Sequence, residues 1–230
     1  MFTSGMSPAK TRGRPFTVIV EGNIGSGKTT FLNHFNRNAE VCVLAEPIEL
    51  WRNCKGQNLL ALMYEDIKRW SFTFQSYVQL TMLEQHTRKT SCPIKLMERS
   101  IYSARYCFVE KMLQDGLIHG ASAAVIDQQF QWIRSYADVD VDLIVYLRTT
   151  PEVVYERMMQ RNRAEEKSVS FEYLKALHDI HEDWLFHKTL YDLPAQVVVL
   201  DANLDKEGII DEYRKCEPHI LDKIMTNVKA

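Results

Sequence analysis

The sequence lacks the features that mark several large protein classes. Its 28 lysines and arginines nearly balance 30 aspartates and glutamates, so the net charge is only -2, and the basic residues form no long block. Proteins that bind nucleic acid usually carry a dominant basic patch, so we expect no nucleic-acid partner. No apolar run approaches the roughly 20 residues that cross a bilayer, so we expect no membrane partner either.

Cysteine is scarce and follows no pattern. The five cysteines are odd in number and have no paired spacing, which argues against a disulfide framework and favours free thiols in a reducing compartment. The first fifteen residues lack acids and any amphipathic apolar stripe, so we expect residues 1–15 to form a disordered arm and not a transit peptide. The expected compartment is the cytoplasm, with the nucleus and the mitochondrion left open.

The chain also lacks internal repeats, low-complexity segments and any dividing linker, so residues 16–230 are expected to form one domain. Its 46% hydrophobic content is enough for one sizeable core. Short apolar runs alternate with segments of helical period, which predicts an α/β fold with a parallel sheet covered on both faces. The predicted strands are 16–21, 41–46, 94–98, 142–147 and 196–201; the predicted helices are 29–38, 59–89, 102–114, 123–136, 151–162, 171–187 and 205–227.

The strongest motif lies between the first strand and the first helix. Residues 22–29 read GNIGSGKT and satisfy G-x-x-x-x-G-K-[ST], the pattern of a phosphate-binding loop (P-loop). Glycines let consecutive backbone N–H groups turn toward a phosphate, and the helix N-terminus adds partial positive charge. In this chemistry Lys28 bridges the β- and γ-phosphates of ATP, and the Thr29 hydroxyl binds Mg²⁺. The predicted ATP-binding residues here are Gly22, Asn23, Ile24, Gly25, Ser26, Gly27, Lys28, Thr29 and Thr30.

The phosphate-binding loop alone does not identify the reaction. Ligands of open parallel sheets bind beyond the carboxyl ends of the strands, so the residues at the ends of the other strands are the next source of evidence. No N-K-x-D guanine signature is present, and no D-x-x-G stands directly at the end of a predicted strand. Glu46 closes the second predicted strand, and Glu98 and Arg99 close the third. A carboxylate there can hold Mg²⁺ or take a proton from an attacking hydroxyl, and an adjacent arginine keeps it ionised. On position alone, helix capping or a surface location is an equally good account of the two acids.

Several longer stretches resemble the deoxyribonucleoside kinases, above all their insect multisubstrate and mitochondrial thymidine kinase members. Among them are EGNIGSGKTT (21–30), EPIELWRN (46–53), MERSIYSARYCFVE (97–110) and DLIVYLRTTPEVVYERMMQRNRAEE (142–166), and the likeness runs over about residues 16 to 205. The resemblance implies a three-layer P-loop kinase fold with a five-stranded parallel sheet flanked by helices and a short arginine-rich lid. It also implies a homodimer with a helical interface.

The resemblance further implies that ATP phosphorylates the 5′-hydroxyl of a deoxyribonucleoside, as in nucleotide salvage. Glu46 matches the family's catalytic base, and Arg99 matches the arginine that pairs with it and faces the transferred phosphoryl group. Lys28 completes the predicted catalytic set. Glu98 matches an acid that helps Thr29 to hold Mg²⁺.

An arginine-rich segment follows the fourth strand. Arg157 and Arg161 are four residues apart in a predicted helix and are expected to point the same way. By composition such a cluster is commonly a solvated face, but by resemblance Arg161 and Arg163 belong to a lid that contacts the phosphates of ATP. Tyr64 and Glu166 match the pair that hydrogen-bonds the 3′-hydroxyl of the sugar.

The predicted nucleoside pocket centres on one helical face. Gln75, Val78, Gln79 and Met82 are spaced i, i+3, i+4 and i+7. By resemblance Gln75 reads the edge of a pyrimidine, and the neutral side chains of Met82 and Ala104 leave room for a thymine methyl group. We therefore expect a preference for thymidine and deoxycytidine, with broad specificity open. The predicted substrate-binding residues are Glu46, Trp51, Met63, Tyr64, Phe74, Gln75, Val78, Met82, Arg99, Ala104, Phe108 and Glu166.

Two other functions share some of these features. A nucleoside monophosphate kinase has the same architecture, but it needs a further basic cluster to hold the acceptor phosphate. A nucleotide-binding module without phosphoryl transfer would need neither Glu46 nor Arg99.

Overall fold

The computed structural model describes residues 14–222, apart from the side chains at positions 164 and 206. Most of the predicted arm, up to residue 13, lies outside the described residues, as do positions 223–227 of the last predicted helix. Arg14 belongs to the described part of the arm, where its guanidinium forms an ion pair with Asp142 at 2.7 Å.

A parallel sheet forms the centre of the described chain and confirms the predicted α/β fold. Its five strands lie in the order β2-β3-β1-β4-β5, and β1 pairs with β3 on one side and β4 on the other. The predicted end of the second strand is wrong, because the chain leaves the ladder before Glu46 and turns there, with Ile48 N–H donating to the Glu46 carbonyl. The strands are β1 (Phe16–Glu21), β2 (Val41–Leu44), β3 (Ile94–Glu98), β4 (Leu143–Arg148) and β5 (Gln196–Asp201).

The helices cover both faces of the sheet. Several of them begin or end at residues other than the predicted ones. The single helix predicted at 59–89 is wrong: the chain breaks at Asp66, where φ is -140° and the carboxylate caps a new helix by accepting from Arg69 N–H. A short helix at Ile48–Arg52 escaped prediction. The helices are α1 (Lys28–Phe35), α2 (Ile48–Arg52), α3 (Leu59–Glu65), α4 (Ile67–Thr87), α5 (Ile101–Ser103), α6 (Glu110–Gln114), α7 (Ala121–Tyr136), α8 (Pro151–Arg161), α9 (Phe171–His181) and α10 (Lys206–Leu221).

The helices α5 and α9 each continue into a π-helical turn, in which the hydrogen bonds run from residue i to residue i+5. The turn Ala104–Val109 joins α5 to α6, and the turn Glu182–Phe186 extends α9. A 3₁₀ turn, Ala164–Ser168, follows α8. None of the helices within residues 14–222 has both the length and the apolar character of a membrane span.

Alternate residues of β1 serve two separate cores. Val18 and Val20 pack under α1 and α10, in a cluster with Phe31 and Tyr213. Ile19 points to the opposite face and joins the larger cluster beneath α4, α7 and the π-helical turns. The second face therefore carries the larger of the two clusters, while the first face is covered by α1 and α10.

Candidate active site

A cleft of about 960 Å³, open to solvent, lies beyond the carboxyl ends of β1, β2 and β3. The structure brings most of the predicted site residues to its walls, from both the phosphate and the nucleoside sets. These residues are Ile24, Gly25, Lys28, Thr29, Glu46, Trp51, Met63, Tyr64, Phe74, Gln75, Val78, Met82, Glu98, Arg99, Ala104, Phe108, Arg161, Arg163 and Glu166.

Five residues of the predicted phosphate set do not line the cleft: Gly22, Asn23, Ser26, Gly27 and Thr30. The side chain of Asn23 is buried, and its amide N–H already has a hydrogen-bond partner: it donates to the Leu174 carbonyl of α9 at 2.8 Å. Asn23 therefore ties the loop to α9, and any phosphate contact it makes comes from the backbone.

The phosphate-binding loop requires glycine where other parts of the chain approach it closely. Gly25 has φ of +82°, and a Cβ there would lie 2.7 Å from the Val154 carbonyl of α8. Gly22 has φ of +143°, and a Cβ would lie 2.8 Å from the Leu147 carbonyl. Both the left-handed conformation and the lack of space exclude a side chain at these positions.

Lys28 lies inside this loop with its ammonium group already hydrogen-bonded. Its Nζ donates to the carbonyls of Asn23 at 2.7 Å and Gly22 at 3.1 Å. Burial, together with the nearby charge of Arg99, lowers the pKa of Lys28 to about 7. Anionic phosphate oxygens beside Nζ would favour its charged form.

Thr29 and Glu98 meet at the base of the cleft, as the sequence predicts for a pair that shares a cation. The Thr29 hydroxyl lies 3.1 and 3.2 Å from the two carboxylate oxygens of Glu98. Hydroxyl and carboxylate oxygens are hard donors of the kind that Mg²⁺ prefers.

Arg99 and Glu46 form the ion pair that the resemblance implies. Arg99 Nε lies 3.1 Å from Glu46 Oε1, and the guanidinium carbon lies 4.6 Å from the centre of the Phe108 ring. The guanidinium is buried, and while Nε faces Glu46, Nη1 has no hydrogen-bond partner in the described part of the chain. The Nη1 donor is therefore available to a ligand in the cleft.

The backbone at Arg99 is unusual. Its φ is +63°, a left-handed conformation that costs a residue other than glycine about 1–3 kcal/mol. Such strain persists only where the surroundings hold it, and it commonly marks a functional position. Here it turns the arginine away from the line of β3 and into the cleft.

Glu46 has a carboxyl group adapted to proton chemistry. Burial raises its pKa above the ordinary range, the guanidinium of Arg99 opposes that shift, and the charge of Glu98 adds to it. A carboxylate with a raised pKa is a better acceptor for the proton of a hydroxyl group than an ordinary surface acid.

The nucleoside side of the cleft is apolar, with one buried amide. Trp51 and Phe74 meet edge to face at 5.6 Å, and the indole N–H of Trp51 donates to the Thr81 hydroxyl at 2.9 Å. Gln75 is buried, and its Oε1 has no partner within residues 14–222. An unpaired buried amide costs about 1–3 kcal/mol, so this side chain fits a role as a ligand reader.

The lid arginines are held by an acid of the lid itself. Both carboxylate oxygens of Glu166 accept from Arg161 Nη2, at 2.6 and 2.7 Å, and Arg163 Nη1 lies at 3.4 Å. The expectation that Arg157 points the same way as Arg161 is wrong. Arg157 donates to the carbonyls of Ala202 and Leu204, so it fastens α8 to the segment after β5.

Several lining residues were missed by the sequence analysis. Arg52 donates to both carboxylate oxygens of Glu165, at 2.7 and 3.1 Å, and so joins α2 to the lid across the cleft mouth. This pair lowers the pKa of Glu165. The two residues are 113 positions apart, and no local pattern predicts such a pairing. The other unpredicted lining residues are Ile48, Leu60, Ser100, Met112 and Tyr173.

Comparisons with known proteins agree with this geometry. A sequence model of the deoxynucleoside kinase family matches residues 18–229. Human mitochondrial thymidine kinase 2 is 47% identical to this chain, over 89% of the chain and 77% of the relative. Deoxycytidine kinase 1 of Xenopus laevis is 36% identical, over 91% of the chain and 93% of the relative, and rat deoxycytidine kinase is 32% identical, over 93% and 95%. The predicted family is thus confirmed: the chain belongs to the deoxynucleoside kinase family.

Proposed function

We propose that this kinase transfers the γ-phosphoryl group of ATP to the 5′-hydroxyl of deoxyribonucleosides, with thymidine and deoxycytidine preferred, and so serves nucleotide salvage. One observation carries the proposal. The Glu46–Arg99 pair lies between a phosphate-binding loop and an apolar pocket that contains a buried, unpaired amide. Donor, base and acceptor sites thereby share one cleft.

In the proposed reaction Glu46 binds and orients the acceptor hydroxyl. Phosphoryl transfer has a loose transition state, so positioning the hydroxyl contributes more than complete removal of its proton. Arg99 Nη1 is an unpaired donor beside Glu46, where charge would develop on the transferred phosphoryl oxygens. It therefore serves both partners of the reaction.

The phosphate side uses Lys28 and the lid. Lys28 turns from the loop carbonyls to the β- and γ-phosphates, and Arg161 and Arg163 neutralise the outer phosphate oxygens as the lid closes. Closure also excludes water that would hydrolyse ATP. Backbone N–H groups of the loop are proposed to hold the β-phosphate; those of Ile24 and Ser26 already donate to Asn23.

Thr29 and Glu98 fit a magnesium ion. Their three oxygens already converge, which is the small protein contribution that Mg²⁺ needs when phosphates and waters supply the remaining ligands. The ion would neutralise charge on the transferred phosphate. Glu98 and Thr29 contribute by holding their oxygens at this point of the cleft.

Gln75 is the proposed reader of the base, with Trp51, Met63, Phe74 and Phe108 as apolar walls. An amide donates once and accepts once along one edge, which suits both thymine and cytosine if the amide rotates. Val78, Met82 and Ala104 carry no charge where the thymine methyl group would lie. Tyr64 and Glu166 are proposed to bind the 3′-hydroxyl of the sugar.

A homodimer is also proposed. The outer faces of α4 and α7 expose large apolar side chains: Leu80 (50%), Val125 (44%), Trp132 (58%) and Tyr136 (76%). Exposed apolar clusters of this kind mark protein interfaces. Sedimentation of the wild type as a dimer and of Trp132→Glu as a monomer would support this interface, whereas a monomeric wild type would exclude it.

The compartment is a separate proposal. The cytoplasm remains our expectation, since all five cysteines are free and a reducing compartment suits them. The name of the human relative makes the mitochondrion the alternative. Imaging of the full chain with a C-terminal fluorescent tag distinguishes the two.

The test of function is a product assay with labelled ATP. The purified chain is incubated separately with thymidine, deoxycytidine, deoxyadenosine, deoxyguanosine and thymidine monophosphate. Labelled monophosphates from the two pyrimidine nucleosides are expected to form fastest. A product from thymidine monophosphate alone would show a monophosphate kinase, and no product from any acceptor would show a binding module.

A further inference from the structure

A buried carboxyl group beneath the cleft has no role in the reaction described so far. Glu21 is the last residue of β1 and directly precedes the phosphate-binding loop. It is fully buried, on the face of the sheet that Ile19 also occupies. A buried acid in a mostly apolar strand is costly unless it makes specific contacts.

The main contact of Glu21 is with Ser100. The Ser100 hydroxyl donates to Glu21 Oε1 at 2.6 Å and accepts from the N–H groups of Tyr102 and Ser103, both at 3.2 Å. The Ser103 hydroxyl in turn accepts from Ser100 N–H at 3.2 Å. The single hydroxyl hydrogen of Ser100 therefore goes to Glu21, and this fixes how the serine caps α5.

Ser100 follows the left-handed Arg99, and both residues are attached to the end of β1. Arg99 N–H donates to the Val20 carbonyl at 3.0 Å, and Ser100 donates to the next residue, Glu21. Two consecutive residues of β1 thus hold two consecutive residues of the strained turn. Without the second bond, Ser100 keeps its contacts with α5 but loses its attachment to β1, and the bond from Arg99 N–H to Val20 is the one described hydrogen bond that still ties the turn to β1.

We infer that Glu21 is a positioning residue for the reaction: its carboxyl group holds Ser100, keeps Arg99 in the left-handed conformation, and so places the guanidinium opposite Glu46. The inference rests on the roles proposed above for Arg99 and Glu46. Glu21 itself does not line the cleft. Because it adjoins Gly22, it also sets the distance between the phosphate-binding loop and the arginine.

The environment of Glu21 agrees with a specific role. Burial raises the pKa of Glu21 to about 7, against the opposing effects of the Ser100 hydroxyl and Arg99. The other polar or titratable groups beside it are Ser103, Lys28 and Cys107. Glu21 Oε2 has no hydrogen-bond partner within the described chain, so a glutamine amide can replace that oxygen and keep the bond from Ser100 to Oε1.

The experiment compares Glu21→Gln, which keeps the acceptor, with Glu21→Met, which keeps the length and removes it. We expect Glu21→Met to lower kcat about 10- to 100-fold, as misplacement of a catalytic group by about 1 Å does. The KM for ATP should change by less than about threefold, because the phosphate loop keeps its own contacts. Glu21→Gln should recover kcat to within about threefold of the wild type.

Ser100→Ala breaks the same link from the other side. It should lower kcat by a similar factor, and its effect should not add to that of Glu21→Met, because both remove one connection. This variant also carries the test if Glu21→Met does not fold. Unchanged kcat in Ser100→Ala would then overturn the inference.

Glu182 provides the matched control, since it is a buried carboxylate that binds Tyr146 and Arg148 away from the cleft. Glu182→Met should lower the unfolding temperature without lowering the kcat of the folded enzyme. If Glu21→Met behaves in the same way, Glu21 is only structural and the inference fails. If Arg99→Lys also keeps full kcat, the failure lies in the role proposed for Arg99.

Discussion

Arg99 and the lid arginines reach the same cleft, but they are held in opposite ways. Arg99 is buried, strained in its backbone and stacked on Phe108, with Nη1 left unpaired. Arg161 and Arg163 are about one-third exposed and are paired with Glu166. If the proposed roles hold, the acceptor side is organised before ligands bind, whereas the two lid arginines would exchange their ion pairs with Glu166 for phosphate contacts.

The largest effect is expected at Glu46, the ion-pair partner of Arg99. Glu46→Gln should lower kcat by about 10²- to 10⁴-fold, since it removes the group that orients the hydroxyl, and should leave ATP affinity nearly unchanged. Steady-state kinetics with thymidine and titration calorimetry with an ATP analogue measure the two quantities. Glu49→Gln, an 84% exposed acid three residues on, is the control. Near-normal kcat in Glu46→Gln would remove Glu46 from the mechanism.

The next prediction tests whether the role of Arg99 requires the planar shape of its guanidinium group. Arg99→Lys keeps the charge but loses the planar stacking on Phe108 and the second donor, so kcat should fall about 10²-fold. The same change in the lid, Arg163→Lys, should lower kcat much less, because Arg163 is partly exposed and a lysine ammonium still pairs with phosphate. Equal losses in the two variants would show that the buried and the partly exposed arginines do not differ in this way.

A smaller effect is expected in the lid, and it should change the KM for ATP more than kcat. Arg161→Ala should raise the KM for ATP about tenfold, the value of one charge-assisted contact, with a smaller change in kcat. Arg157→Ala is the control on the same helix, since Arg157 binds backbone carbonyls outside the cleft. That variant should lower thermal stability and leave the KM for ATP unchanged. A rise in KM with both variants would indicate a general disturbance of α8.

The smallest effect concerns the pair between Arg52 and Glu165. Glu165→Gln should change the KM for thymidine by less than about fivefold, because partly exposed ion pairs contribute at most about 1 kcal/mol. Salt should reduce the difference between variant and wild type, since it screens the pair that only the wild type has. A difference that stays constant from low to high salt would contradict an electrostatic connection.

The sequence predicted the phosphate-binding loop and the strands well, because both have local causes: a fixed motif and continuous apolar runs. It also placed Glu46, Glu98 and Arg99 at one edge of the sheet. It did not predict the break at Asp66, although an aspartate before an apolar periodic segment is a capping signal. Because Asp66 lies in the middle of a long segment with helical periodicity, the segment was interpreted as one helix.

The remaining differences arise from contacts between distant parts of the chain. The pairing of Arg52 with Glu165 and the turn of Arg157 toward Ala202 join residues 113 and 45 positions apart. The left-handed conformation of Arg99 depends on carbonyl and carboxyl groups of β1. Helical spacing and composition contain no information about any of these partners.

The contact between Gly25 and the Val154 carbonyl has a consequence for how the enzyme opens. It joins the phosphate loop to the body of α8 with no space for a side chain, so we expect α8, including Arg161, to keep its distance from the loop. The helix ends at Asn162, where φ is +50°. We therefore expect nucleotide exchange to displace mainly the segment beyond Asn162, with Arg163 and Glu166, while the cradle of the phosphates keeps its shape.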